Sequence, residues 1–63
     1  MRILVTDIEL FAAALVQARV TVRAVDGSIA DYGGAIEKYT PNAVRIDGTY
    51  YMREVYLFEI KEN

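Results

Sequence analysis

At Val20 the spacing of apolar residues changes, and no other feature of this chain constrains its fold as strongly. Before that point Ile8, Phe11, Ala12, Leu15 and Val16 recur at i, i+3, i+4, i+7 and i+8, one apolar stripe of a helix. Glu9, Gln17 and Arg19 are left to face water. After it Val20, Val22 and Ala24 alternate with Thr21 and Arg23, the period of a strand. The pattern predicts a helix over about 7–19. Thr6 is its N-cap, and Glu9, three residues later, completes a capping box. Asp7 at the start and Arg19 at the end suit the helix dipole.

Turn signals divide the remainder. Residues 2–5 read as a short strand or an extended arm. Asp26-Gly27 and Asp47-Gly48 are hairpin turns, and residues 39–42 form a further turn around Pro41. Between the first two turns, residues 28–39 predict one long bent strand, with Gly33-Gly34 supplying a bulge or a sharp bend. Ala43–Ile46 is a third strand, Val44 and Ile46 inward and Arg45 outward. Residues 50–60 are an aromatic run whose polar break at Arg53-Glu54 splits it in two, before a solvated tail of Lys61, Glu62 and Asn63. The expected fold is mainly β. An N-terminal helix leads into a five-stranded, strongly bent antiparallel barrel over about 20–60, within one domain spanning 1–63.

A chain of 63 residues is near the limit of independent folding. Burying roughly 6,200 Å² of surface, about 60% of it apolar, gives roughly 90 kcal/mol at about 25 cal/mol/Å². Ordering the chain costs roughly 95 kcal/mol. Small domains escape this balance with disulfides, metals or oligomerisation. The chain has no Cys and no His, so disulfides, thiolate zinc sites and imidazole chemistry are out, and self-association is the expected staple. The net charge of −2 provides no global field for polyanions. No apolar run is long enough to span a bilayer, and Arg2 with Ile3-Leu4-Val5 does not make a signal peptide. A cytoplasmic protein without membrane contact is expected. Enzymatic readings fail on chemistry. Ser28 has no histidine base, Gly33-Gly34 lacks the Lys-Ser/Thr of a phosphate loop, and no loop has the dense Asp/Asn spacing of a metal site. Asp7, Glu9, Glu59 and Glu62 read as solvated carboxylates. No cofactor and no metal are expected.

Three segments resemble the Sm/Lsm superfamily, and bacterial Hfq in particular. Val20-Thr21-Val22-Arg23-Ala24-Val25-Asp26-Gly27 is similar to that family's first strand and turn. Gly34-Ala35-Ile36-Glu37-Lys38-Tyr39 is similar to its Gly-x-hydrophobic-x-x-aromatic segment. Tyr51-Met52-Arg53-Glu54 falls where the second Sm motif places a hydrophobic residue, Arg and Gly. The resemblance covers roughly residues 11–60. The chain departs from the family at Thr40, where Asp is usual, at Pro41 and Asn42, and at Glu54, where Gly is usual.

The resemblance implies a homo-oligomeric ring of about five to seven copies, closed by pairing the fourth strand of one subunit with the fifth of the next. Candidate interface residues are Tyr50, Tyr51, Met52, Val55, Tyr56, Leu57 and Phe58; the alternative is that both faces of this run meet the core. It also implies single-stranded RNA bound near a pore. Tyr39 would stack on a base, Thr40 and Asn42 would hydrogen-bond its edge, and Arg53 would supply charge. The alternatives are a core aromatic for Tyr39, a turn residue for Asn42 and an ion pair between subunits, to Glu54 or Asp47, for Arg53. Glu54 near such a pore would repel phosphate. Two further readings stand beside RNA binding: an oligomeric structural or adaptor protein, of phage type or otherwise, with no nucleic-acid role, and a barrel that takes a peptide on an open sheet edge.

Overall fold

The computed structural model describes residues 2–61 and is mainly β. Strand β1 (Arg2–Leu4) leads into helix α1 (Asp7–Leu15). Six strands follow: β2 (Val20–Ala24), β3 (Ile29–Gly34), β4 (Ile36–Tyr39), β5 (Ala43–Ile46), β6 (Thr49–Met52) and β7 (Tyr56–Ile60). They form two open antiparallel sheets, a four-stranded one in the order β1-β7-β2-β3 and a three-stranded one in the order β4-β5-β6. The expectation of five strands in one closed barrel is corrected to seven strands in two sheets. Both long segments break where they pass from one sheet to the other, residues 28–39 at Ala35 and residues 50–60 at 53–55. The N-terminal arm is an additional strand. The tail expectation for Glu62 and Asn63 lies outside the described residues.

The first break has a steric cause. Gly34 is buried at the end of β3, pressed against β5 and its turn. A Cβ there would stand 2.6 Å from Ile46 Cγ2 and 2.7 Å from Asp47 Oδ2. Ile46 is fully buried and has no room to retreat. Gly33 is unlike its neighbour: the nearest atom to an added Cβ would be Arg19 Cβ at 3.8 Å. The glycine pair is therefore one tight crossing point and one ordinary strand position.

The hairpin signals correspond to real turns. Asp47 and Gly48 have φ of 52° and 79°, the left-handed pair of a type I′ turn, between the paired residues Ile46 and Thr49. Gly27 has φ of 95° and donates to the Ala24 carbonyl at 2.9 Å. Asp26 accepts from the Ser28 hydroxyl and amide, which holds its carboxyl below the usual range.

The core lies between the sheets and α1. It contains Leu4, Leu10, Ala13, Val20, Val22, Ile36, Val44, Ile46 and Phe58, with Tyr39, Tyr51, Tyr56 and Ile60 packed against it. Val44 and Ile46 point inward and Arg45 outward, as their alternation requires.

Helix α1 departs from the sequence reading in length and in rotation. It stops at Leu15, short of residue 19. Gln17 takes φ of 54°, Ala18 N–H donates to the Ala13 carbonyl at 3.0 Å and Gln17 N–H to the Ala14 carbonyl at 3.1 Å. These two bonds are a Schellman ending, built here without the usual glycine. The helix buries Leu10 and Ala13, with Ala14 packed beside them. The stripe of Ile8, Phe11, Ala12, Leu15 and Val16 faces outward. Two alanines on the inner face let the helix backbone sit close to the sheets, and its first turn is tied down by side chains from elsewhere in the chain.

Candidate functional site

Those ties converge on the region proposed for RNA contact. The turn from β4 to β5 is closed by Thr40, whose N–H donates to the Ala43 carbonyl at 2.8 Å. The Thr40 hydroxyl oxygen accepts from Asn42 N–H at 3.2 Å and from Ala43 N–H at 2.9 Å. It serves the local backbone, as Thr does in turns of this kind. The Asn42 carbonyl then accepts from Arg53 N–H at 2.8 Å, which joins this turn to the segment between β6 and β7.

Arg53 extends the connection to the start of α1. Its Nη1 donates to the Thr40 carbonyl and to Asp7 Oδ1, both at 2.8 Å, and its Nη2 to the Val5 carbonyl at 3.0 Å. The Arg53 side chain is 18% exposed, against 66% for Asp7. The guanidinium fork thus ties its own segment to two others far away in sequence, residues 5–7 and the turn at Thr40, a geometry that a lysine ammonium does not reproduce. Asp7 in the first turn is also a favourable partner for the helix dipole.

A second set of bonds secures the same turn. Glu9 Oε1 accepts from Thr6 N–H and Val5 N–H, both at 3.0 Å, and Glu9 N–H donates to Thr6 Oγ1 at 3.2 Å, completing the capping box. Arg2 Nη2 reaches Glu9 Oε2 at 3.1 Å. The Thr6 and Val5 amides, then Arg2, lower the Glu9 pKa to about 2.

The structure therefore brings Tyr39, Thr40, Asn42 and Arg53 together at one turn cluster, with most of their polar groups already engaged. Tyr39 is half-buried against the core, Thr40 closes its own turn and Arg53 is spent on three internal acceptors. Asn42 and Glu54 are exposed beside it. Arg53 pairs with Asp7, 46 residues away, and no local spacing signals that contact.

The interface candidates divide. Phe58 is core. Tyr51 and Tyr56 are half-buried and meet edge to face, ring centroids 5.2 Å apart at 77°. Tyr50, Met52, Val55 and Leu57 are exposed. Arg45 sits over the Tyr50 ring at 5.7 Å and pairs with Glu37 at 3.2 Å. Strand β7 carries β2 on one edge and β1 on the other. The edge at which the implied ring would receive a neighbouring subunit is therefore occupied by β1.

A feature that the sequence reading placed elsewhere is the outer face of α1. Ile8 is 78% exposed, Phe11 54%, Leu15 71% and Val16 73%, with Val5 exposed just before the helix. Beside it, a groove of about 190 Å³ lies between α1 and the ends of β1 and β7, lined by Leu4, Ala12, Ala13, Val16 and Ile60 among others. It falls below the roughly 300–1,000 Å³ of small-molecule sites. Across the molecule, the neighbouring carboxyl and charge of Asp31, with burial and Glu37 adding, raise the Asp47 pKa from its ordinary value; Arg19 opposes this. No helix is long and apolar enough to cross a membrane among the described residues. Comparison with protein-family models, with curated proteins and with solved structures finds no match.

Proposed function

We propose that the chain is a small Sm-like β module that works as an oligomeric structural or adaptor protein, with no nucleic-acid role. The Sm-like part is supported by strand succession. β3 passes into β4 through Ala35 alone, so one sheet, with β7-β2-β3, leads directly into the other, β4-β5-β6. A helix leading into a bent succession of antiparallel strands is the arrangement the resemblance implies, here with β1 added outside β7.

The observation that carries the function is the apolar outer face of α1. A contiguous exposed apolar patch of this kind is often functional, and contact with another protein is one of the roles such patches serve. The rest of the chemistry agrees. The cation that an RNA site needs is already neutralised by Asp7, Glu54 lies beside it, and the whole chain is acidic. A ring of five to seven copies closed through β7 would first have to displace β1.

RNA binding is the second reading, because the four candidate residues do meet at one turn. One pair of measurements separates the two. Light scattering is expected to give a multiple of the 7.1 kDa chain mass. Labelled oligouridylate and oligoadenylate are expected to show no anisotropy change at low salt. RNA binding that weakens with salt and disappears in Arg53→Ala would overturn the proposal in favour of the second reading. A clean monomer with no RNA affinity would leave the peptide-binding reading in front.

A further inference from the structure

We infer that the occupant of the outer face of α1 is a second copy of the same helix, packed antiparallel about a two-fold axis that passes between Phe11 and Ala12. The inference deepens the proposed oligomeric role and rests on it.

Three observations favour a second copy. The first is area. Ile8, Phe11, Leu15 and Val16 together present on the order of 500 Å² of apolar surface, at the upper end for a monomer. Two such faces carry roughly 1,000 Å² between them, so a seam that covers most of it approaches the threshold for a specific interface. The chain has no cysteine with which to staple a small core, so this burial adds stability beyond that of the folded monomer.

The second is self-complementarity. A two-fold interface must match its own pattern read in reverse. The four central positions of the stripe do so, Ile8 with Leu15 and Phe11 with Ala12, while Val16 lies at the margin opposite the partner's Asp7 position. About an axis between Phe11 and Ala12, Ile8 of one helix stands opposite Leu15 of the other. The two Phe11 rings meet on one side of the axis. The two Ala12 methyls lie on the other and let the backbones approach. Antiparallel packing also sets the two helix dipoles head to tail.

The third is accessibility. The inner face of α1 is committed to Leu10 and Ala13, and its first turn is held by Arg53, so the stripe is rigidly presented without refolding. A preorganised face loses little conformational freedom on binding.

The test uses charge placed on the stripe. Ile8→Glu falls in the first turn and Leu15→Lys in the last, where the dipole favours each charge, and both positions are exposed, so the folded monomer is preserved. Circular dichroism and thermal melts check this. Sedimentation equilibrium from about 1 µM to 1 mM then reads the dissociation constant. Wild type is expected at twice 7.1 kDa, and each single variant at 7.1 kDa, weakened about a hundredfold or more by an unpaired charge at the seam. The double variant, Ile8→Glu with Leu15→Lys, is expected to dimerise again, because an antiparallel pair brings opposite charges together twice. Single variants that remain assembled would overturn the helix interface while leaving the oligomeric reading intact. Monomeric single variants without rescue in the double variant would overturn the antiparallel register. A monomeric wild type at the highest concentration would overturn both inference and reading.

Discussion

The two faces of α1 carry apolar side chains with opposite fates. The inner face contributes Leu10, 1% exposed, and the small residues Ala13 and Ala14. The outer face contributes Ile8, Phe11, Leu15 and Val16, which hold more apolar surface and bury less of it. A helix is therefore not rotated toward the core simply by its greasier side. Here its rotation follows the contacts at its ends and the closeness that small residues allow. Arg53, Glu9 and Arg2 secure the N-terminus, and the turn at Gln17 swings the chain back toward β2.

The sharpest way to break this comparison is to truncate one leucine on each face. Leu10→Ala is expected to destabilise the fold by about 2–5 kcal/mol, as loss of a fully buried leucine does. Leu15→Ala is expected to change the stability of the dilute chain by less than about 0.5 kcal/mol. Urea denaturation at low protein concentration reads both, and equal effects would mean that the two faces are not distinct.

The next effect tests the anchor. Arg53→Ala removes the donors to Thr40 and Val5 carbonyls and is expected to cost about 1–3 kcal/mol, with little recovery in Arg53→Lys. Hydrogen exchange at the first turn of α1 should accelerate in both variants. Unchanged protection there would show that the inner face alone sets the rotation.

A smaller effect concerns Glu9 and pH. Its folded pKa is lowered from 4.5 to about 2, so the carboxylate contributes stability that is complete above about 4.5 and is lost as pH falls toward about 2. Glu9→Gln should therefore melt below wild type at pH 7, and the gap should close in acid. A gap that does not vary with pH would assign the difference to shape rather than charge.

The smallest effect is a gain. Gln17 holds φ of 54°, where glycine is unstrained, so Gln17→Gly is expected to stabilise by about 0.5–1 kcal/mol in thermal melts. A loss would mean that the side chain of Gln17 contributes more than its backbone costs.

Much of the secondary structure was legible because its signals are local. The capping box of Thr6 and Glu9, the turns at Asp26-Gly27 and Asp47-Gly48, and the alternation of Val44, Arg45 and Ile46 each involve residues a few positions apart. The division of residues 28–39 was only half legible. The glycine pair announced a bend, but the cause, Gly34 against Ile46 and Asp47, depends on a strand that comes later in the chain. At the candidate site, the turn role of Thr40 could be read from its neighbours. The engagement of Arg53 with Asp7 and Val5 could not, since those partners are 46 and 48 residues away.

By itself the sequence determined that this chain has one N-terminal helix followed by antiparallel strands joined by tight turns, without thiol or imidazole chemistry. Caps, turns and hydrophobic periods act through backbone geometry within a few residues, and composition decides which side-chain reactions exist at all. Only the tertiary structure decided which face of α1 is buried, that the strands form two sheets, that β1 covers the edge of β7, and that Arg53 points inward. Each of these depends on a choice among competing long-range partners, and the choice follows from steric fit and hydrogen bonds formed only once the whole chain has come together.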